Sequence, residues 1–121
     1  MATTRRDLVV RCAAFSARLL RFHASERRRG RVAASVLQQS LRAGTAIGAH
    51  CAEAESALTR RHLISLRSGA LREAREAQYW LQLLAQSHQC GNETEVTALH
   101  AEATELVAIL TTSVRRLREM A

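Results

Sequence analysis

The amino-acid sequence predicts an all-α protein, an antiparallel up-down-up-down four-helix bundle. Three observations lead there. Apolar residues recur at alternating spacings of three and four in four separate stretches, the period of a helix with one buried face. The chain has no proline and only 5 glycines, too few turn residues for a β-sandwich or barrel. The four stretches are joined by three short connections, which favours antiparallel neighbours. At 121 residues, one domain spanning 1–121 is expected. A chain of this length buries roughly two-thirds of its unfolded surface and needs neither metal nor disulfide to fold.

The first helix is expected over Arg5–Ala24, where Leu8, Cys12, Phe15, Leu19 and Phe22 share one face. The stretch Ser25–Arg31 reads as the first break, with Gly30 as its turn residue. A second helix over Val32–Ser56 presents a face of small residues: Ala33, Leu37, Leu41, Gly44, Gly48 and Cys51. Gly44, Gly48 and Ala52 stand four apart. A mid-helix glycine costs about 1 kcal/mol relative to alanine, so close approach of another helix is the expected compensation. Ala70, Ala74 and Ala77 offer a matching ridge, within one chain or on a second subunit.

The third helix spans Thr59–Gln89, with Thr59 as N-cap and Leu63, Ala70, Ala74, Ala77, Leu81 and Leu84 on one face. Gly91-Asn92 marks the next turn, where glycine suits a left-handed residue after a helix end. The fourth helix spans Glu93–Met120 on a stripe of Val96, Leu99, Ala103, Leu106, Leu110 and Leu117. Glu93 and Glu95 in its first turn, and Arg115, Arg116 and Arg118 in its last, complement the helix dipole.

The formal charge is +7, and all 18 basic residues are arginine. Genomic base composition accounts for arginine in place of lysine but not for the excess of base over acid. A basic domain tends to meet polyanions. Bundle topology collects the start of the first helix, the end of the second, the start of the third and the end of the fourth at one pole. Nine arginines against four acids fall there, whereas the middle balances and the opposite pole holds a small excess. Such a surface suits backbone phosphates, which need positive charge in place and no base code. It equally suits a solvated face that aids solubility. The candidate phosphate contacts are Arg5, Arg6, Arg60, Arg61, Arg115, Arg116 and Arg118.

Other classes lack their residues. Aromatic residues make up 3% of the chain, too few for a base-stacking platform. The longest uncharged stretch, between Glu76 and Glu93, is rich in glutamine and does not read as a membrane span. Arg11 and Arg18 interrupt the apolar run of a secretory signal. Three cysteines, Cys12, Cys51 and Cys90, are unpaired by spacing and suit a reducing cytosol, so a cytoplasmic location is expected. No Glu-x-x-His of a di-iron bundle occurs. His88-x-Cys90 supplies two ligands where a metal site needs more. Adjacent His50 and Cys51 lie on different sides of a helix and form no nucleophile–base pair by spacing. Gly44-x-x-x-Gly48 lacks the Lys-Ser/Thr of a phosphate loop. No cofactor, metal or catalytic constellation is expected, and a non-enzymatic role follows.

Four segments together resemble a known family. They are Thr45-Ala-Ile-Gly-Ala-His-Cys-Ala-Glu53-Ala54, Arg60-Arg61-His62-Leu63-Ile64, Ala70-Leu-Arg-Glu-Ala-Arg-Glu76 and Tyr79-Trp-Leu-Gln-Leu-Leu84. With the opening Asp7-Leu8-Val9-Val10, they are similar to the "four-helix bundle protein" family over about residues 5–118. Its members are bacterial proteins encoded in intervening sequences of 23S ribosomal RNA genes, and stand-alone relatives. Here Thr45 stands where the family has Ser, His50 where it has Asn, and Arg11-Cys12 where Trp-Gln is common. The resemblance implies an antiparallel four-helix protomer and a ring-shaped homopentamer. Related proteins include the accessory variability determinant of diversity-generating retroelements, a basic protein that binds nucleic acid and partners a reverse transcriptase. The leading expectation is therefore a nucleic-acid-binding oligomer that contacts RNA or DNA phosphates. The alternative is a protein-interaction adaptor for a partner such as a reverse transcriptase.

Overall fold

The computed structural model describes residues 5–120. Four α-helices follow one another: α1 (Arg5–Arg29), α2 (Ala34–Ala54), α3 (Arg60–Ser87) and α4 (Glu93–Glu119). No strand occurs among the described residues. Each helix packs on the next, and α4 returns beside α1 at the most open of the four seams. Short connections reverse the chain each time, which produces the antiparallel bundle.

The first connection corrects the sequence reading. Ser25–Arg29 is helical, and the break falls at Gly30, whose φ of 69° is left-handed. Glu26 explains the extra turn. It continues the spacing of Leu19 and Phe22 and is buried, with 1% of its surface exposed. Its carboxylate accepts from the backbone N–H of Gly91 (2.9 and 3.0 Å), from that of Asn92 (3.2 Å) and from Arg29 Nη1 (3.0 Å). A charge enters the core here because every lone pair has a donor to meet. The end of α1 is thereby tied to the α3–α4 turn.

The other helix ends follow simple capping chemistry. Thr59 Oγ1 accepts from His62 N (3.1 Å) at the start of α3, and Asn92 Oδ1 accepts from Glu95 N (2.9 Å) at the start of α4. The left-handed residue that ends α3 is His88 (φ 54°), not Gly91. At Gly91 the Arg29 side chain lies over the bare backbone: a Cβ there would be 2.5 Å from Arg29 Cδ. α2 is shorter than expected at both ends. Its buried face is Leu37, Ser40, Ala43, Gly44, Ile47, Cys51 and Ala54, while Ala33 is exposed and Leu41 and Gly48 are half-buried. The stripe is rotated because α2 must serve α1 and α3 together.

The core is built from the expected stripes, with Leu8, Cys12, Phe15, Leu19 and Phe22 of α1 all buried. The small-residue face of α2 meets α1, not the alanines of α3. A Cβ on Gly44 would lie 2.1 Å from Leu19 Cδ2, and one on Gly48 would lie 3.2 Å from Cys12 Cβ. The helix-propensity loss at Gly44 and Gly48 is thus offset inside one chain. Ala52, the third residue of that series, is exposed. A second, small apolar cluster of Ala54, Leu63 and Leu66 joins the end of α2 to the start of α3, and Leu117 of α4 packs against it. That cluster gathers the termini at one pole.

Candidate nucleic-acid interface

The pole begins with arginines placed against the helix dipoles. Arg5 and Arg6 open α1, Arg60 and Arg61 open α3, and the first turn of α3 carries no acid. A cation at a helix N-terminus opposes the dipole by roughly 0.3–1 kcal/mol. Four such placements at one end reinforce the field of the exposed N–H groups and make the surface attractive to anions. Arg116 and Arg118 lie in the last turn of α4, where the dipole favours them.

Most acids are engaged elsewhere. Arg11 binds Glu102 through two hydrogen bonds (2.7 and 2.8 Å) and reaches Glu105 at 3.5 Å across the open α1–α4 seam. Arg18 joins Glu95 across the same seam (2.8 Å). Arg42 of α2 pairs with both Glu73 and Glu76 of α3. Arg42, helped by Trp80 Nε1, holds the Glu76 carboxyl below its ordinary pKa. Arg11 therefore belongs to the bundle's bracing and not to the pole's excess charge. At the pole itself Asp7 stands in the first turn of α1 beside Arg5 and Arg6, Glu119 approaches Arg115 at 4.0 Å, and Glu53 and Glu55 end the α2 segment exposed.

The seven arginines singled out by sequence all lie at this end and are exposed. Arg5 and Arg116 line one surface cavity of about 460 Å³ between α1, α3 and α4. Arg115 and Arg118 line a second, of about 460 Å³, on the α3–α4 face. Arg60 donates through Nη1 to the carbonyl of Met120, which ties the start of α3 to the end of α4. Arg6 and Arg61 line neither cavity.

Three further arginines join them. Arg75 lines the second cavity, and with Arg72 and Arg118 it lines a third of about 310 Å³. Glu73 and Glu76 are the neighbours of Arg72 and Arg75 in sequence. On the helix surface those acids turn toward α2 and Arg42, while Arg72 and Arg75 turn toward α4. A helical projection carries that signal, because residues 72 and 75 lie three apart and residues 73 and 76 fall on the other flank. The third, Arg67, stands in the wall of the first cavity with only 5% of its surface exposed. It fills the gap in the α3 stripe between Leu63 and Ala70. Nη1 donates to Ser113 Oγ (2.6 Å), and Nε and Nη2 are buried without a partner. Burial, with Arg5 nearby, lowers its pKa from the ordinary arginine value.

Among the described residues no group of three His, Cys, Asp or Glu side chains could hold a metal ion. His88 is exposed and paired with Glu93 (2.9 Å), while Cys90 is buried with its thiol pushed up to about 11 by desolvation. His50 lies over Gly69 of α3, where a Cβ would come within 3.3 Å of the ring. No described helix is long and apolar enough to cross a membrane.

Fold and pole together define a basic-ended, antiparallel four-helix protein. The family model for the 23S rRNA-intervening sequence protein matches residues 6–112, and the chain belongs to that family. It is similar to a crystal structure of a protein of unknown function from the S23 ribosomal protein family of Bacteroides thetaiotaomicron. The two are 27% identical with a TM-score of 0.82, and the match covers 92% of this chain and 97% of that one. No curated protein matches the chain.

Proposed function

We propose that the protein is a non-enzymatic, homo-oligomeric module that binds the phosphates of structured RNA or DNA through its arginine pole. The observation that carries the reading is the distribution of ion pairs. Acids of the bundle's flanks are bound to Arg11, Arg18 and Arg42, which leaves the polar arginines in excess. The formal charge of +7 supports a polyanionic ligand. Because phosphate contacts carry no base code, binding is weakly sequence-specific.

Assembly is supported by an exposed apolar stripe on α1. Val10 and Leu20 are 63% and 53% exposed, and the exposed Ala13, Ala14 and Ala24 lie on the same flank. Self-association that covers this stripe fits the pentamer implied by the family resemblance, and it multiplies the number of arginine poles facing one ligand.

The direct test is RNA binding by the intact protein and two paired variants. R115A/R118A at the pole weakens binding to a structured RNA at least tenfold. R27A/R28A at the opposite end, also exposed, changes it less than twofold. Equal effects at the two ends, or no binding by the wild type at 50 mM salt, refute the reading.

A further inference from the structure

The cavity between α1, α3 and α4 has an unusual lining. Three arginines, Arg5, Arg67 and Arg116, border it, together with the hydroxyl-bearing Thr112 and Ser113, and none of its described lining residues is acidic. The rest of the wall is apolar. Arg67 is the informative member. A buried guanidinium ordinarily saturates its fork with carboxylate or carbonyl oxygens. Here one nitrogen meets the Ser113 hydroxyl, and two are shut away from water with no acceptor. Leaving buried donors unmade is costly, more so on a charged group. Arg5 and Arg116, both exposed at the rim, add two further positive charges and no counter-charge.

We infer that this cavity is a seat for one phosphate group, held by the Arg67 guanidinium with Arg5 and Arg116 closing over it. The inference rests on the reading of this pole as attractive to phosphate, and adds a defined position to it. A tetrahedral oxyanion offers oxygens in several directions at once. It can therefore take the second Nη1–H of Arg67, the Ser113 or Thr112 hydroxyl and the rim arginines together. Guanidinium is suited to that task by its planar fork. The apolar remainder of the wall lowers the local dielectric and strengthens each contact. The group can come from a nucleic-acid chain or from a free phosphate, and the two sources share this chemistry.

The experiment uses the full chain. Inorganic phosphate is titrated against thermal unfolding, with sodium acetate at matched ionic strength as control. Phosphate raises Tm saturably and acetate does not. Arg67→Met, which replaces the buried charge by an apolar chain of similar length, leaves Tm without phosphate equal or higher and removes the response. Arg116→Ala, at an exposed position whose loss leaves the core intact, raises the half-saturating phosphate concentration at least tenfold. The same variants are then tested with a hairpin RNA. An Arg67→Met loss of tenfold or more in RNA affinity assigns the phosphate to the RNA chain. Unchanged RNA affinity with lost phosphate binding assigns it to a free phosphate. Two results overturn the inference: no phosphate response in the wild type beyond that of acetate, or a full response in both variants. RNA binding that survives either result leaves the arginine pole standing without the seat. Phosphate binding without any RNA binding removes the nucleic-acid reading and keeps the seat.

Discussion

Glu26 offers the sharpest test of how the bundle is held together. Its carboxylate is 1% exposed and receives the N–H groups of Gly91 and Asn92 and one Arg29 nitrogen. Glu26→Ala removes the acceptor for two backbone donors and one charged donor. Hydrogen bonds to charged groups are worth about 1.5–3 kcal/mol each. The exposed turn lets water recover part of that for Gly91 and Asn92, and Arg29 keeps its bond to the Gln89 carbonyl (2.9 Å). The net loss is then about 3 kcal/mol. At about 4 °C per kcal/mol for a chain of this size, Tm falls by about 12 °C. Glu26→Gln preserves shape and one acceptor oxygen but loses charge, and costs about half as much. Circular dichroism at 222 nm, followed with temperature at fixed protein concentration and neutral pH, reads both. A Glu26→Ala variant within 0.5 kcal/mol of wild type would refute the claim that this buried carboxylate ties α1 to the α3–α4 turn.

Other outcomes follow from the same contacts. Gly44→Val drives a branched side chain into Leu19 and Phe15 and lowers stability by about 2–3 kcal/mol, measured by urea unfolding. His23 has its pKa lowered from 6.5, chiefly by burial and also by Arg27, and its Nε2 is buried without a partner. The unfolded chain therefore binds the proton more readily, so the stability His23 supports is present above pH 6.5 and is lost as pH falls below it. His23→Asn shrinks the drop in Tm between pH 7.5 and pH 5.5. Leu20→Arg on the exposed stripe of α1 lowers the mass measured by light scattering toward that of one chain, while helix content is unchanged.

Much of the fold was legible in residue spacing, because four amphipathic stripes and three turns leave few ways to bury the apolar faces. The particular ends were harder. Glu26 continues the α1 stripe at the same spacing as Leu19 and Phe22, but a lone acid next to three arginines reads as surface until its backbone partners 65 residues away are known. The positive φ of His88 likewise reflects the geometry of the α3–α4 turn and carries no residue signal. The pole followed from topology alone, because short connections between antiparallel helices bring Arg5, Arg60 and Arg116 to one end. Pairing across seams was not legible. Which flank of α3 faces Arg42 decides that Glu73 and Glu76 are engaged while Arg72 and Arg75 are left for the basic surface. Topology put Arg67 among the arginines of the pole, but its burial as a cavity wall was not legible, because an arginine there reads as surface.

The central claim is that seven arginines gathered at one end, Arg5, Arg6, Arg60, Arg61, Arg115, Arg116 and Arg118, engage phosphates. The most direct measurement is the affinity for a structured RNA as a function of salt. Each phosphate neutralised contributes roughly −0.7 to −0.9 to the slope of log K against log salt. Seven contacts on one protomer predict a slope of about −5 to −6. R115A/R118A reduces its magnitude by about 1.5. A slope near zero, or one that R115A/R118A leaves unchanged, would contradict the account.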